Sequence, residues 1–138
     1  MFLSSQSYCL AMPTRSRAED TPGTAAPADW PSDWLRGVLT LCVLRVLTAG
    51  ATYGYEIAQR LAAAGLGEIK GGTLYPLLAR LHAAGLVEEE WRPGDGGPGR
   101  KYYALTAAGR THLHDEGARW SRFAALTQTF VTTPEVAP

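Results

Sequence analysis

Lys70, Thr73, Tyr75, Pro76 and Arg80, followed by Arg100 and Lys101, are the residues whose types and spacing carry chemistry in this chain. Cations next to hydrogen-bonding and small side chains suit contact with phosphates and with base edges. The segment Gly71-Gly72-Thr73-Leu74-Tyr75-Pro76-Leu77-Leu78-Ala79-Arg80-Leu81 sets that chemistry on a helix. Leu74, Leu77, Leu78 and Leu81 recur at i, i+3, i+4, i+7 and form the stripe to be buried. The opposite side carries Gly72, Pro76, Ala79 and Ala83, flanked by Thr73, Tyr75 and Arg80, a slim face that fits a major groove. No Asn, Gln or Arg occupies its first two turns, so bidentate base contacts are expected to be few and sequence discrimination modest.

Other chemistries find little support. No nucleophile stands with a base and an orienting group, and no phosphate-cradling glycine motif follows a strand, so the chain is not read as an enzyme. His112 and His114 are two apart on a helix and diverge, and His82 has no ligand cluster near it, so no metal or other cofactor is expected. Cys9 and Cys42 suggest no disulfide framework, and Cys42 reads as a buried inert thiol. Formal net charge is zero, so any basic surface has to be placed locally.

The elements that position these residues follow from periodicity. Leu86 to Arg92 and Arg100 to Leu105 read as the strands of a hairpin, with Val87, Trp91, Tyr103 and Leu105 half-buried and residues 93–99 as a glycine-rich loop. Glu88, Glu89 and Glu90 read as a solvated face. Ser32 or Asp33 is expected to cap a first helix that Trp34, Leu35, Val38, Leu39, Leu41, Cys42, Val43, Leu44, Val46 and Leu47 surround almost completely. A helix apolar all round needs two covers, and the second is expected to be a partner subunit. A second helix starts at about Tyr53, with Ile57, Ala58 and Leu61 inward, and Gly65 and Gly67 reverse the chain before Lys70. Thr106 is expected to cap a last helix. Its stripe of Leu113, Trp120, Phe123 and Phe130, with pairs seven residues apart, suits a dimer seam joined by Leu39 of the first helix.

The residues before Ser32 hold four prolines among Ser, Thr, Ala and Gly without apolar periodicity, and are expected to be disordered. Their first dozen make a poor signal peptide, and no run approaches the roughly 18 apolar residues of a membrane span, so a soluble cytoplasmic protein without membrane contact is expected. The expected organisation is a tail over 1–31, a DNA-binding domain over 32–106, a dimerisation helix over 107–131 and a second tail over 132–138.

Four separated blocks, Leu35-Arg36-Gly37, Tyr53-Gly54-Tyr55-Glu56-Ile57, Gly72-Thr73-Leu74-Tyr75-Pro76-Leu77-Leu78 and Arg100-Lys101-Tyr102-Tyr103-Ala104-Leu105-Thr106-Ala107-Ala108-Gly109, stand in the order found in the PadR family of winged helix-turn-helix regulators. The resemblance runs from about Leu35 to Trp120, and points to the small subgroup with a single carboxy-terminal dimerisation helix. The long amino-terminal extension departs from the family pattern. The resemblance implies a mainly α fold with a small β-hairpin, and a homodimeric, ligand-responsive repressor on a palindromic operator. Tyr53, Lys70, Thr73, Tyr75, Pro76, Arg80, Arg100 and Lys101 would meet double-stranded DNA. It also implies a cleft between subunits where Trp120, with Trp34, Leu41 and Arg45, would hold a planar aromatic effector. The alternative is a winged-helix protein-interaction module that binds no nucleic acid, which would follow if the acidic residues of the hairpin dominated the surface around the third helix.

Overall fold

In a computed structural model, which describes residues 30–94 and 96–136, the buried leucine stripe organises a small helical domain. The hairpin's return is preceded by α1 (Ser32–Leu47), β1 (Thr52–Tyr53), α2 (Gly54–Leu61) with a short π-type continuation, α3 (Gly71–Ala83) and β2 (Val87–Arg92). They are followed by β3 (Arg100–Leu105) and α4 (Ala107–Thr132). The core joins Leu39, Val43, Leu44 and Leu47 of α1, Ile57 and Leu61 of α2, and the four leucines of α3 to Ile69, Val87 and Tyr103. All four α3 leucines are buried, as their spacing requires. The result is mainly helical, with winged helix-turn-helix architecture and a long carboxy-terminal helix.

The sheet has three strands, in the order β1-β3-β2, where the sequence predicts a two-stranded hairpin. Thr52 and Tyr53 pair antiparallel with Tyr103 and Tyr102, so Tyr53 ends a strand and caps α2 rather than opening a helix. Two residues are too few for an alternation to be read. The register Val87↔Leu105, Glu89↔Tyr103 and Trp91↔Lys101 puts these side chains on the face toward α3, while Glu88, Glu90 and Arg92 take the outer face. The three glutamates therefore do not form one solvated face. Trp91, expected to be half-buried, is 68% exposed because it lies toward the tip of the β2–β3 hairpin, the wing, where the helices edge a groove beside it but do not cover it.

Several boundaries also differ from expectation. Pro31, with no side chain to bond, stands at the α1 cap position, and its carbonyl accepts from the backbone N–H groups of Trp34 and Leu35. Ser32 and Asp33 lie inside the helix, where Asp33 pairs with Arg36. Of the tail expected over 1–31, Trp30 and Pro31 are among the described residues. Trp30 donates its indole N–H to the Gly65 carbonyl at 2.8 Å, across the turn that links α2 to α3. Residues 1–29, including Cys9, and residues 137–138 of the second predicted tail lie outside the described residues.

That turn continues α2 as a wide π-type segment, Ala62–Leu66, until Gly65 breaks it at φ 106° and Gly67 reverses the chain at φ 82°. After the wing, the Thr106 side chain caps α4 by accepting from Gly109 N–H at 2.9 Å and donates to the Gly85 carbonyl at 2.7 Å. Gly109 is required rather than tolerated, since a Cβ there would stand 2.2 Å from the Leu86 carbonyl oxygen.

The second cover of α1 comes partly from its own chain. α4 packs along α1, and Leu113 is half-buried against the core. Leu39, expected at a subunit seam, is only 4% exposed in the single chain because α1 turns it into the core, so it has no surface to offer a partner.

Candidate nucleic-acid interface

Position along α3 decides what each candidate residue can reach. Lys70 stands at the cap position, its carbonyl accepting from Thr73 and Leu74 N–H, both at 2.9 Å. Its side chain is exposed, as are those of Thr73, Tyr75, Pro76 and Arg80. Pro76 lies in the helix interior and has no N–H for the Gly72 carbonyl, which leaves a backbone acceptor on the exposed side of the second turn.

Three concavities surround α3. On the wing side, Tyr53, Gly54, Tyr55, Tyr75, Trp91, Gly99, Arg100 and Lys101 line one groove. Between α2 and α3, Lys70 and Tyr75 share a second with Glu68 and several glycines. On the far side, Lys70, Thr73 and Arg80 share a third with Arg36 and Glu68. Tyr75 links the wing to the helix, and Lys70 links the two sides of the helix. The fold thus gathers the sequence-predicted residues around one element, with α3 running between them.

Tyr75 is held by shape. Its hydroxyl and ring edge occupy the space over Gly54, where a Cβ would meet them at 2.4 to 2.6 Å. The wing's cations are held by π faces and by two carboxylates, Glu90 lying 3.5 Å from the Arg92 guanidinium and Glu89 beside Lys101. The Arg100 guanidinium lies 4.3 Å from the Tyr53 ring centroid, and that of Arg92 lies 4.2 Å from Tyr102. The two phenol rings are 5.4 Å apart. Lys101 Nζ sits 3.5 Å from Glu89 Oε1 and 5.8 Å from the Trp91 ring. Behind this layer, burial pushes the Tyr103 hydroxyl's pKa up, helped by the nearby charge of Glu89 and by Tyr75.

Sequence reasoning missed three participants. Arg36 was hidden in a helix read as core, Arg92 at a strand end, and Glu89 in an acidic run. Only the alternation of that run, which turns its middle member toward α3, carries a signal for Glu89.

The residues expected around an effector are not all brought together. Leu41 and Trp120 line one hollow with Thr40, Arg119 and Phe123, whereas Trp34 and Arg45 are not among its walls. Trp34 stands 64% exposed at the start of α1, and Arg45 donates to the Thr48 hydroxyl at the helix's other end. About eleven residues at 1.5 Å each separate them along the helix. On α4, Trp120, Phe123 and Phe130 are exposed, Phe130 to 80%.

Among the described residues, no three His, Cys, Asp or Glu side chains group as a metal site. Among them, too, no helix is long and apolar enough to cross a membrane.

The likeness to known proteins covers this same region. A transcriptional regulator of Mycobacterium tuberculosis is 34% identical over 84 residues, which span 61% of this chain and 77% of that one. The crystal structure of a PadR family transcriptional regulator from Eggerthella lenta shares 34% identity at a TM-score of 0.67, covering 75% of this chain and 89% of its own. A transcriptional regulator from Clostridium thermocellum shares 30% identity at a TM-score of 0.65, covering 72% and 99%. Residues 43–115 match the PadR-like family of transcriptional regulators, and the chain belongs to that family.

Proposed function

We propose that this transcriptional regulator acts as a homodimer on double-stranded DNA, with α3 in the major groove and the wing on the neighbouring backbone. The observation that carries this reading is the grouping around α3 of exposed Lys70, Thr73, Tyr75, Pro76 and Arg80 with Tyr53, Arg100 and Lys101 of the wing side. Cations at the margins would take phosphates, while Thr73, Tyr75 and the Gly72 carbonyl would meet base edges. Of the three wing glutamates only Glu89 faces α3, while Glu88 and Glu90 lie on the opposite face of the sheet, which they share with Arg92 and Arg100. That α3 meets one wing carboxylate rather than three favours nucleic acid over the alternative protein-interaction module.

The dimer reading rests on α4. Trp120, Phe123 and Phe130 are exposed in the single chain at near-heptad spacing, which makes a helix-to-helix seam the favourable way to remove them from water. Twofold symmetry would then pair two reading heads on a palindromic operator in the cytoplasm. A planar aromatic effector would enter beside Trp120 and Leu41 and change the separation of the heads, relieving repression. Trp34 and Arg45 drop out of that site unless a second subunit supplies them.

The test is fluorescence anisotropy with the duplex upstream of the protein's own gene, over a salt series. A fall of log K with log salt, with a slope reduced by about one in Lys70→Gln, is expected. Absence of binding at low salt would refute the reading.

A further inference from the structure

Glu89 stands apart from its acidic neighbours. Glu88 and Glu90 oppose Ala104 and Tyr102 on the outer face of the sheet, whereas Glu89 opposes Tyr103 on the face toward α3. Its side chain is 24% exposed. One carboxylate oxygen lies 3.5 Å from Lys101 Nζ and 4.0 Å from His82 Nε2 in the last turn of α3. His82 Nδ1 lies 3.3 Å from the Val87 carbonyl oxygen, which holds the imidazole beside the strand. A single carboxylate thus stands between the recognition helix and the only lysine of the wing.

Resting on the DNA-binding reading above, we propose that Glu89 is a specificity-determining residue of that interface: it holds Lys101 neutralised, so the wing engages a phosphate only when α3 is fully seated. The physics is competition for one ammonium. On DNA that α3 does not fit, a passing phosphate meets a carboxylate and an ammonium together, a nearly neutral pair that releases little counterion. When α3 is seated, a phosphate is fixed beside the wing, and Lys101, one-third exposed, can leave a pair of modest strength to meet it. The carboxylate is thus an element of repulsion built against the wrong partner. It lowers affinity for all DNA, and for unspecific DNA most.

The experiment compares wild type, Glu89→Gln, Glu89→Asp, Glu88→Gln and Glu89→Gln/Lys101→Gln by anisotropy. Each is measured on the upstream duplex and on a scrambled duplex of equal length, with thermal melts as a check on folding. Glu89→Gln is expected to tighten scrambled binding several-fold and to steepen its salt slope by about one, while the specific complex gains less. The double variant should return to the wild-type slope. Glu89→Asp keeps the net charge but draws the carboxylate away from Lys101, so its expected tightening on the scrambled duplex cannot come from net charge.

Equal effects of Glu88→Gln and Glu89→Gln would overturn the proposal in favour of general repulsion. So would an unchanged specificity ratio in both Glu89 variants. If wild type binds the upstream duplex with salt-dependent affinity while these outcomes hold, this inference alone fails. If wild type binds neither duplex, the DNA-binding reading fails with it.

Discussion

Replacing Gly54 with alanine tests whether the backbone at the start of α2 sets the position of Tyr75. A Cβ there would lie 2.4 Å from the Tyr75 hydroxyl oxygen and 2.6 Å from two ring carbons, so the ring has to leave. Tyr75 is 50% exposed, so it buries roughly half of a large aromatic surface, about 100 Å². At about 25 cal/mol per Å², displacement costs at most about 2.5 kcal/mol. Alanine in place of glycine in a helix offsets about 1 kcal/mol of this. The net loss is therefore about 1–2 kcal/mol, a fall in Tm of roughly 5–10 °C for a domain of this size. If Tyr75 contacts DNA as proposed, those contacts would go with it, and operator binding should weaken by about tenfold or more.

The decisive assay is a double-mutant cycle by thermal denaturation. In a Tyr75→Ala background the clash is gone, so adding Gly54→Ala should be neutral or stabilise by up to about 1 kcal/mol. If Gly54→Ala costs the same in both backgrounds, Tyr75 is not what the glycine accommodates, and the reasoning fails.

Three further outcomes follow from the same contacts. Gly109→Ala puts a Cβ 2.2 Å from the Leu86 carbonyl oxygen, where backbone faces backbone, so a loss of more than about 3 kcal/mol is expected; a melt within 5 °C of wild type would contradict it. Phe123 is 63% exposed in the single chain, so Phe123→Asp should leave the monomer folded by circular dichroism while light scattering reports loss of the dimer; a stable dimer would remove α4 from the seam. Trp30→Phe keeps the ring but deletes the indole donor to the Gly65 carbonyl, and should speed amide hydrogen exchange between Gly65 and Lys70 at a cost of about 1 kcal/mol, with unchanged exchange counting against an anchoring role.

What was legible in the sequence tracks how locally each feature is encoded. The α3 stripe, the turn at Gly65 and Gly67, and the Thr106 cap rest on spacing or on one residue's chemistry, and each is found where expected. Strand β1 was not legible, because its two residues become a strand only by pairing with β3, some fifty positions away. Trp91 has the right spacing for burial, but the wing projects past its cover, and spacing says nothing of how far cover extends. For α1 the pattern is legible but its cover is not: apolar residues all round call for two covers, and spacing does not tell that part of the second is α4 of the same chain. Roles that depend on what a side chain meets across the fold are fainter still: Gly54 under Tyr75 leaves no mark in one sequence, and for Glu89 the strand alternation marks the face but not the meeting with Lys101.

The charge balance shows how a chain of zero net charge can still offer a basic face. Arg36, Arg60 and Arg119 each meet a carboxylate three or four residues away on their own helix. Such pairs are nearly silent at a distance, since their fields cancel within a Debye length of about 10 Å. α3 contains no carboxylate at all, so Arg80 has no partner on its own helix, nor does Lys70 at its cap. Among the described residues neither is in an ion pair, nor is Arg100, which is held by the Tyr53 ring instead. An arginine positioned on a ring keeps its full charge, whereas a lysine positioned by Glu89 does not. The difference separates, at the start of β3, a cation that is always available from one that has to be won, and it predicts unequal effects. Arg100→Gln should weaken binding to specific and scrambled DNA alike, while Lys101→Gln should act mainly on the specific complex. Equal losses on both duplexes for the two variants would mean that the carboxylate does not distinguish them.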